Sequence, residues 1–277
     1  MHATKKAVTH ARHDPALCSA PGLFRSLKRG ERKKQKLDIT YQHGDTRLRF
    51  WGPEPLGADD LRVLQVLVAF AGPGGHLLEA KPATGVGRML RGELNAAGAC
   101  ESGEDAITVR TTLYRLAVEV GKSDSGTALG ALRRCLDRLA ALTVIADAGT
   151  QSVSMRLCAR AIDSETGELI IALHPRIARA VLGQRHTRIS MAEVRALHSD
   201  PALLMHQRLC AWIDPGAQRH VLLGTLAGYA WPEPAPSPSA LRMRRAGVRK
   251  ALAELVAAGW GVEQAGEGFA ILRPQVR

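Results

Sequence analysis

Aromatic side chains are scarce in this sequence, and so are long apolar runs. Phe, Trp and Tyr together make up 4% of the 277 residues, which is few for a protein that binds single strands by stacking bases on its side chains. No segment reaches the roughly 18 consecutive apolar residues of a membrane-spanning helix, and residues 1–30 lack the apolar core of a secretion signal. We therefore expect a cytoplasmic protein without membrane contact. The apolar content of 45% still provides for a folded core.

Sequence signatures of metal sites and nucleophiles are missing too. The five cysteines include no pair spaced as CxxC, so neither a disulfide framework nor a zinc finger is expected. Gly121-Lys122-Ser123 resembles the end of a P-loop, but Leu116 stands where that motif needs its first glycine. No HExxH motif and no two-histidine motif of a nicking enzyme occur, and no paired carboxylates stand out as a two-metal nuclease site. We expect no enzyme activity, no cofactor and no metal, and structural roles for Tyr41, Tyr114, Tyr229 and His206.

Positive charge is the dominant compositional feature. The chain has 38 Lys and Arg against 26 Asp and Glu, a net charge of +12. Residues 1–36 hold 10 basic and 2 acidic side chains and residues 174–277 hold 14 and 7, whereas 37–173 hold 14 and 17. A general bias toward arginine would not leave the middle acidic. The pattern is typical of a scaffold with separate polyanion-binding surfaces, and the scarcity of aromatics favours duplex DNA.

Residues 1–36 are polar and lack a helix or strand period, so we predict a partly disordered basic arm, with order beginning near Leu37. The basic side chains of this arm are expected to hold DNA phosphates rather than to read bases. They are Arg25, Lys28, Arg29, Arg32, Lys33, Lys34 and Lys36. A solubility or targeting tail is the alternative.

Periodicity in the two following segments predicts the same order of elements twice. In 37–173, apolar spacing and turn residues predict helix, polar turn, helix and two strands at 111–120, 121–126, 129–139, 143–146 and 152–158. In 174–277, they predict helix, proline-rich turn, helix and two strands at 224–231, 232–238, 239–258, 260–264 and 269–273. This is the order of a winged helix. We therefore predict an α+β fold of two tandem winged-helix domains, with a boundary at 174–186 and the principal DNA reader in the second.

The basic helix predicted at 239–258 is the strongest candidate for reading DNA. Its apolar face is expected to contain Leu241, Val248, Leu252 and Leu255, which places Arg242, Arg245 and Arg249 together on one flank. Arginine reads guanine in the major groove and also binds phosphate. The candidate contacts of this domain are Arg242, Arg244, Arg245, Arg249 and Lys250, with Ser237 and Ser239 at the helix start. An ordinary solvated helix face is the alternative.

The corresponding helix of the first domain is less basic, because Asp137 offsets part of its charge. Its candidate contacts are Arg133, Arg134 and Arg138, with Ser123, Ser125 and Thr127 around the helix start. Two roles stay open for this domain, namely DNA contact and a protein interface.

Several long stretches are similar to the replication initiator protein C of IncQ-type broad-host-range plasmids. They lie at 12–34, 36–38, 52–65, 188–197, 206–216, 228–232 and 243–252. The resemblance covers nearly the whole chain, and the departures from it lie mainly at 76–106 and 218–240. It is much more specific than a general helix-turn-helix pattern.

The resemblance implies an initiator that binds direct repeats, called iterons, in a plasmid origin. Such initiators have two winged-helix domains, help to open an adjacent A·T-rich segment and bring in the plasmid's hexameric helicase. The implied partners are double-stranded origin DNA, that replicative helicase and a second copy in a possible homodimer. A winged-helix transcriptional regulator that represses its own promoter is the alternative function. The absence of metal-ligand and nucleophile motifs argues against a relaxase or primase.

Overall fold

The computed structural model describes residues 8–28, 30–32, 35–98, 103–163 and 166–275. No helix among them is long and apolar enough to cross a membrane. The four cysteines in this part of the chain are buried free thiols, as the absence of paired spacing indicated; they are Cys18, Cys135, Cys158 and Cys210.

The chain joins the fold well before Leu37. Strand β1 (His10–His13) pairs antiparallel with β10 (Thr187–Ser190), and helix α1 (Pro15–Ser19) packs on α8 (Asp200–Trp212). The expectation of a partly disordered arm, ordered only from Leu37, is therefore wrong for the described residues of this segment. The sequence pattern did not predict β1 and α1, because elements of four and five residues are too short to show a strand or helix period. Their partners also lie far along the chain.

Buried apolar side chains hold this N-terminal segment in place. Leu17 and Phe24 are at most 5% exposed, and Asp14 caps α1 by accepting a hydrogen bond from the Leu17 amide at 3.0 Å. Burying one such side chain contributes about 1.5–3 kcal/mol. We call residues 37–173 the first half of the chain and residues 174–277 the second half. Strand β1 and helix α1 contact the second half, and a β-bridge joins Phe24 to Leu56 in the first half. Because residues 8–28 contact both halves, we call them the N-terminal strap.

The first half contains two antiparallel four-stranded sheets, ordered β2-β3-β6-β7 and β4-β5-β9-β8. Its elements in chain order are β2 (Leu37–His43), β3 (Thr46–Gly52), α2 (Ala58–Gly74), β4 (Gly75–Leu78), α3 (Gly85–Asn95), β5 (Ala106–Thr111), α4 (Leu113–Val120), α5 (Gly126–Ala141), β6 (Thr143–Ala148), β7 (Gln151–Arg156), β8 (Cys158–Ile162) and β9 (Leu169–Leu173). The predicted order of helix, turn, helix and hairpin is present as α4, α5, β6 and β7. The last two strands extend the β2–β3 hairpin into a sheet.

The second half contains a smaller sheet, ordered β11-β13-β12. Its helices and strands, in addition to β10 and α8, are α6 (Pro175–Val181), α7 (Met191–Ala196), β11 (Gln218–Leu222), α9 (Leu223–Ala230), α10 (Pro238–Ala257), β12 (Gly261–Ala265) and β13 (Gly268–Leu272). Helices α9 and α10 and the β12–β13 hairpin again follow the predicted order, and α8 packs on both helices.

One apolar core runs through both halves, from Ala11 in the strap to Ile271 in β13. Helix α2 packs against α5, α8 and β1, so residues on several of its faces are buried. Hydrogen bonds join the halves too, because Arg62 on α2 donates to the carbonyl oxygens of Val194 and Leu197, both at 2.8 Å. The apolar core therefore has no gap between residues 37–173 and 174–277.

The predicted boundary at 174–186 contains helix α6 instead of an open linker. Ile177 and Ala178 are at most 1% exposed, and α6 packs on β5 and β1. Pro175 at the helix start suits a first turn, where its missing amide hydrogen has no intrahelical acceptor. The segment thus belongs to the folded body.

Candidate nucleic-acid interface

Helix α10 is positioned by its buried face and its N-terminal cap. Val248, Leu252 and Leu255 are at most 4% exposed, as their spacing predicted. Leu241 is 40% exposed, so it lies outside the core, contrary to expectation, because the first turns of α10 extend past the body that covers the later ones. Ser237 accepts a hydrogen bond from the Ala240 amide at 3.1 Å, so its side chain is a helix cap.

Most of the basic residues of α10 are exposed, as predicted. The exposed cations are Arg242, Arg245, Arg249 and Lys250, and Ser239 at the helix start is exposed as well. At 100° per residue, the three arginines lie along one side of the helix. Their guanidinium groups supply fork-shaped donors that match both base edges and phosphates.

Arg244 is bound to the protein itself. Its Nη1 donates to the carbonyl oxygen of Glu233 at 2.5 Å, and its guanidinium carbon lies 5.9 Å from the centre of the Trp231 ring. Both partners belong to the proline-rich turn between α9 and α10. Arg244 therefore helps to stabilise the turn that orients α10, and its predicted DNA contact stays a prediction.

The N-terminal strap reaches the same turn. Arg25 forms an ion pair with Glu233, and the Ser26 amide donates to the carbonyl oxygen of Ala230 at 2.8 Å. A Cβ atom on Gly22 would lie 3.2 Å from Pro232, so the two segments are in close contact. The Arg25 side chain is 12% exposed and fixes the turn before α10, and its predicted phosphate contact stays a prediction.

An open groove of about 560 Å³ lies beside Arg245. Thr225 and Gly224 at the start of α9 line it, together with Glu267 in the β12–β13 turn. Thr225 was missed by the sequence reasoning, because a lone threonine carries no charge signal; only the packing of α9 on α10 brings it next to Arg245. Glu263 and Glu267 are exposed, which agrees with a wing that makes no strong phosphate contact.

The start of α5 in the first half is capped by serine. Ser125 accepts from the Ala128 amide at 3.4 Å, and its Oγ lies 3.1 Å from that of Ser123. Thr127, Arg133 and Arg134 are exposed. These five side chains are the part of the first-domain prediction that the structure leaves on the surface.

Arg138 is held in an ion-pair cluster with Arg32, Asp59 and Asp60, which we call the Asp60 cluster. Asp60 is 0% exposed, and both arginines pair with it. Burial raises the pKa of Asp59, but the charges of Arg32 and Arg138 outweigh this effect and hold that pKa below its ordinary value. Arg32 and Arg138 are thus held by ion pairs inside the fold, and their DNA contacts stay a prediction.

Two predicted arm residues remain on the surface, namely Lys28 and Lys36. Arg29, Lys33 and Lys34 lie outside the described residues. Of the seven basic side chains expected to bind phosphate in this arm, Arg25 and Arg32 form intramolecular ion pairs.

A cleft of about 680 Å³ separates the start of α5 from the α7–α8 region. Ser125, Thr127 and Lys122 line it from the first half, and Arg195 and Asp200 from the second. Asp200 has a pKa raised by burial and by the charge of Asp59. The cleft combines apolar walls with charges of both signs, which does not single out one ligand.

His206, predicted to be structural, belongs to a buried polar network. Its Nε2 lies 2.7 Å from Glu193 and 3.5 Å from the Cys210 sulfur, and Trp260 donates to the same Glu193 oxygen at 2.9 Å. Burial lowers the pKa of His206, but Cys210 and Glu193 outweigh burial and raise it to about 9. Glu193, His206 and Cys210 have donor types that could hold a metal ion, and among the described residues one Glu193 oxygen contacts both His206 and Trp260.

The three tyrosines have different surroundings. Tyr41 donates to the Ala16 carbonyl oxygen, and Arg208 lies 4.9 Å from the ring centre of Tyr229, so both have structural contacts as predicted. Tyr114 is 61% exposed, and packing does not explain it.

The family model of replication protein C (RepC) matches residues 5–275. The chain belongs to the replication protein C family. This confirms the resemblance seen in the sequence, and the family supports the role of replication initiator. No curated protein sequence matches the chain.

Solved structures similar to this member of the RepC family include domains of RctB. A crystal structure of domains 2 and 3 of RctB matches with a TM-score of 0.56 and 12% identity, covering 93% of this chain and 97% of that one. A second RctB structure of domains 2-3 has a TM-score of 0.49 and 11% identity, with coverages of 93% and 95%. The first of these shows a shared fold.

Proposed function

We propose that this RepC-family protein is a plasmid replication initiator that binds iteron repeats in duplex DNA through helix α10. The observation that carries the proposal is the row of exposed arginines Arg242, Arg245 and Arg249 on a helix whose opposite face is buried. Family membership supports the link to replication.

The proposed fold of each reading unit is a winged helix. The α4–α5–β6–β7 and α9–α10–β12–β13 units both have the required order of helices and hairpin. In this arrangement α10 enters the major groove of one part of an iteron. Helix α5 and the turn before it, with Ser123, Thr127, Arg133 and Arg134, contact a neighbouring groove or its phosphates.

Opening of the origin needs no nucleotide hydrolysis by this chain under the proposal. Several copies on adjacent repeats bend the DNA, and bending a 20–30 bp site by 40–90° costs on the order of 1–6 kcal/mol. The free energy of binding offsets this cost, and an adjacent A·T-rich segment opens. The plasmid helicase then loads on the opened segment, and a change from dimer to monomer regulates access to the repeats.

Fluorescence anisotropy of the full chain with duplex repeats from its own replicon, against a scrambled duplex across a salt series, tests the proposal. We expect specific binding to exceed non-specific binding by roughly 10³–10⁷. Equal and steeply salt-dependent binding to both duplexes would mean a non-specific polyanion binder. A functional origin assay separates an initiator from an autorepressor, the second candidate, because only an initiator supports replication of the origin.

A further inference from the structure

The outer face of the β2-β3-β6-β7 sheet carries an exposed aromatic ring among arginines. Along β3, Leu48 and Phe50 are buried, whereas Trp51 is 43% exposed. Because side chains alternate across a strand, Arg49 and Trp51 share the outer face, with their Cα atoms about 7 Å apart. Trp51 and Trp212 are the two exposed tryptophans among the described residues, and apolar packing does not account for the exposure of Trp51.

The pairing register extends this face over three strands. Trp51 lies opposite Thr143 on β6, which lies opposite Arg156 on β7. Arg49 lies opposite Ile145, which lies opposite Ser154. Two rows of side chains, each running across the sheet, therefore form one surface.

A groove of about 390 Å³ runs over this surface. Its wall is formed by Ala96 and Ala97, which follow α3, and the Ala97 carbonyl oxygen accepts a hydrogen bond from Ser154 at 2.9 Å. The described residues that line the groove include Arg49 and Arg156 and no acidic residue. A groove of this size takes a small molecule or one residue of a polymer.

Both arginines keep donors for an anion. Asp38 lies opposite Trp51 on β2 and accepts from Nε and Nη2 of Arg49 at 2.8 and 2.7 Å. This exposed ion pair offsets part of the Arg49 charge and fixes its guanidinium, with Nη1 outside the pair. Arg156 donates from Nη1 to the Ala140 carbonyl oxygen at 3.2 Å. The half-buried Arg156 side chain lines the groove, whereas its Nε is buried without a hydrogen-bond partner in the described part of the chain.

We propose that this sheet face, with Trp51, Arg49 and Arg156, binds an unpaired stretch of single-stranded DNA. The indole stacks on one base, and the arginines hold the phosphates on either side. Aromatic rings combined with a positively charged groove form a general single-strand binding surface. The inference rests on the proposed initiator function in one respect only, namely that origin opening supplies the unpaired DNA.

Anisotropy of a labelled oligo(dT) with the full chain tests the proposal, using Trp51→Ala, Trp51→Phe and Trp212→Ala. Trp212 is a matched control, because it is 47% exposed but lies on α8. We expect Trp51→Ala to bind oligo(dT) about 5- to 150-fold more weakly. Trp51→Phe should retain most of the affinity and Trp212→Ala all of it. Thermal melting checks that each variant is folded.

Each contrary outcome has a distinct meaning. Unchanged oligo(dT) binding by folded Trp51→Ala overturns the proposal, and so does an equal loss of duplex-repeat binding, which would place Trp51 in the duplex interface. Tighter Trp51-dependent binding of oligo(U) would make the occupant RNA, and a Trp51-dependent change of sedimentation without change in oligo(dT) binding would make it a second copy. If duplex specificity is absent while Trp51-dependent oligo(dT) binding persists, the initiator proposal fails and this one stands.

Discussion

Arg138 donates from Nε to the buried carboxylate of Asp60 over 2.9 Å. The two residues lie on α5 and α2, so the ion pair ties the candidate DNA helix of the first half to the central helix of the core. Arg32 pairs with the same carboxylate from the segment before β2. A residue that sequence spacing assigns to a DNA surface is thus part of the internal structure.

Replacing Arg138 should therefore reduce stability more than DNA affinity. We expect Arg138→Ala to lower the free energy of unfolding by about 2–3 kcal/mol, below the roughly 3–5 kcal/mol for breaking a buried pair, because Arg32 still compensates Asp60. Arg134→Ala, on the exposed side of α5, should change it by less than about 0.5 kcal/mol. Urea denaturation measures both. Equal stability of the two variants would contradict the internal role of Arg138.

The N-terminal strap should be required for folding. We expect Leu17→Ala to lower the free energy of unfolding by about 2–5 kcal/mol. Leu17 lies on α1 and is 1% exposed, so the shorter side chain leaves a cavity in the core. Lys28→Ala, in the same segment but exposed, should leave the midpoint of urea denaturation nearly unchanged. A strap that served only to bind phosphate would show the opposite pattern, with Lys28→Ala affecting DNA binding and Leu17→Ala affecting nothing.

The His206–Glu193 pair should make stability depend on pH. The pKa of His206 is raised to about 9 in the folded protein, above its ordinary value of 6.5. A raised pKa means that the folded state binds the proton more tightly, so the contribution is fully present below pH 6.5 and is lost as pH rises through about 9. Urea denaturation between pH 6 and 10 should show this loss.

Substitution isolates this contribution from that of other groups. Glu193→Gln removes the carboxylate that accepts from His206 and Trp260, and we expect it to flatten the decline between pH 6.5 and 9. Cys210, the other neighbour of the imidazole, stays in place in that variant. A decline of the same size in Glu193→Gln and in the unmodified protein would assign the pH dependence to other residues.

The exposed arginines of α10 should determine sequence preference. We expect Arg245→Ala or Arg249→Ala to weaken binding to the specific duplex by about 1–3 kcal/mol and to relax the preference at one base position. Lys28→Ala should instead weaken binding to all duplexes alike and make the salt slope shallower by about 1. Arg185→Ala, an exposed arginine outside both helix pairs, is the control. If Arg245→Ala and Lys28→Ala had the same effect on sequence preference and on the salt slope of duplex binding, our assignment of base and phosphate contacts would be wrong.

Local pattern determined much of this protein. The apolar spacing in α5 and α10, the turn residues between the paired strands and the basic face of α10 all depend on neighbours within a few residues, which sequence periodicity records directly. The family resemblance, carried by long matching stretches, was confirmed for residues 5–275. These features could be predicted because their causes are local or are retained as sequence similarity.

Tertiary structure decided which charges stay free to bind a partner. Arg25, Arg32 and Arg138 resemble the exposed arginines in sequence, and only the approach of distant carboxylates pairs their charges. The sheet register likewise brings Trp51 and Arg156 to one groove, although composition pointed away from base stacking. Composition averages over the chain, whereas a binding surface needs only a few side chains in one place. Long-range pairing sets that place, and sequence periodicity carries no record of it.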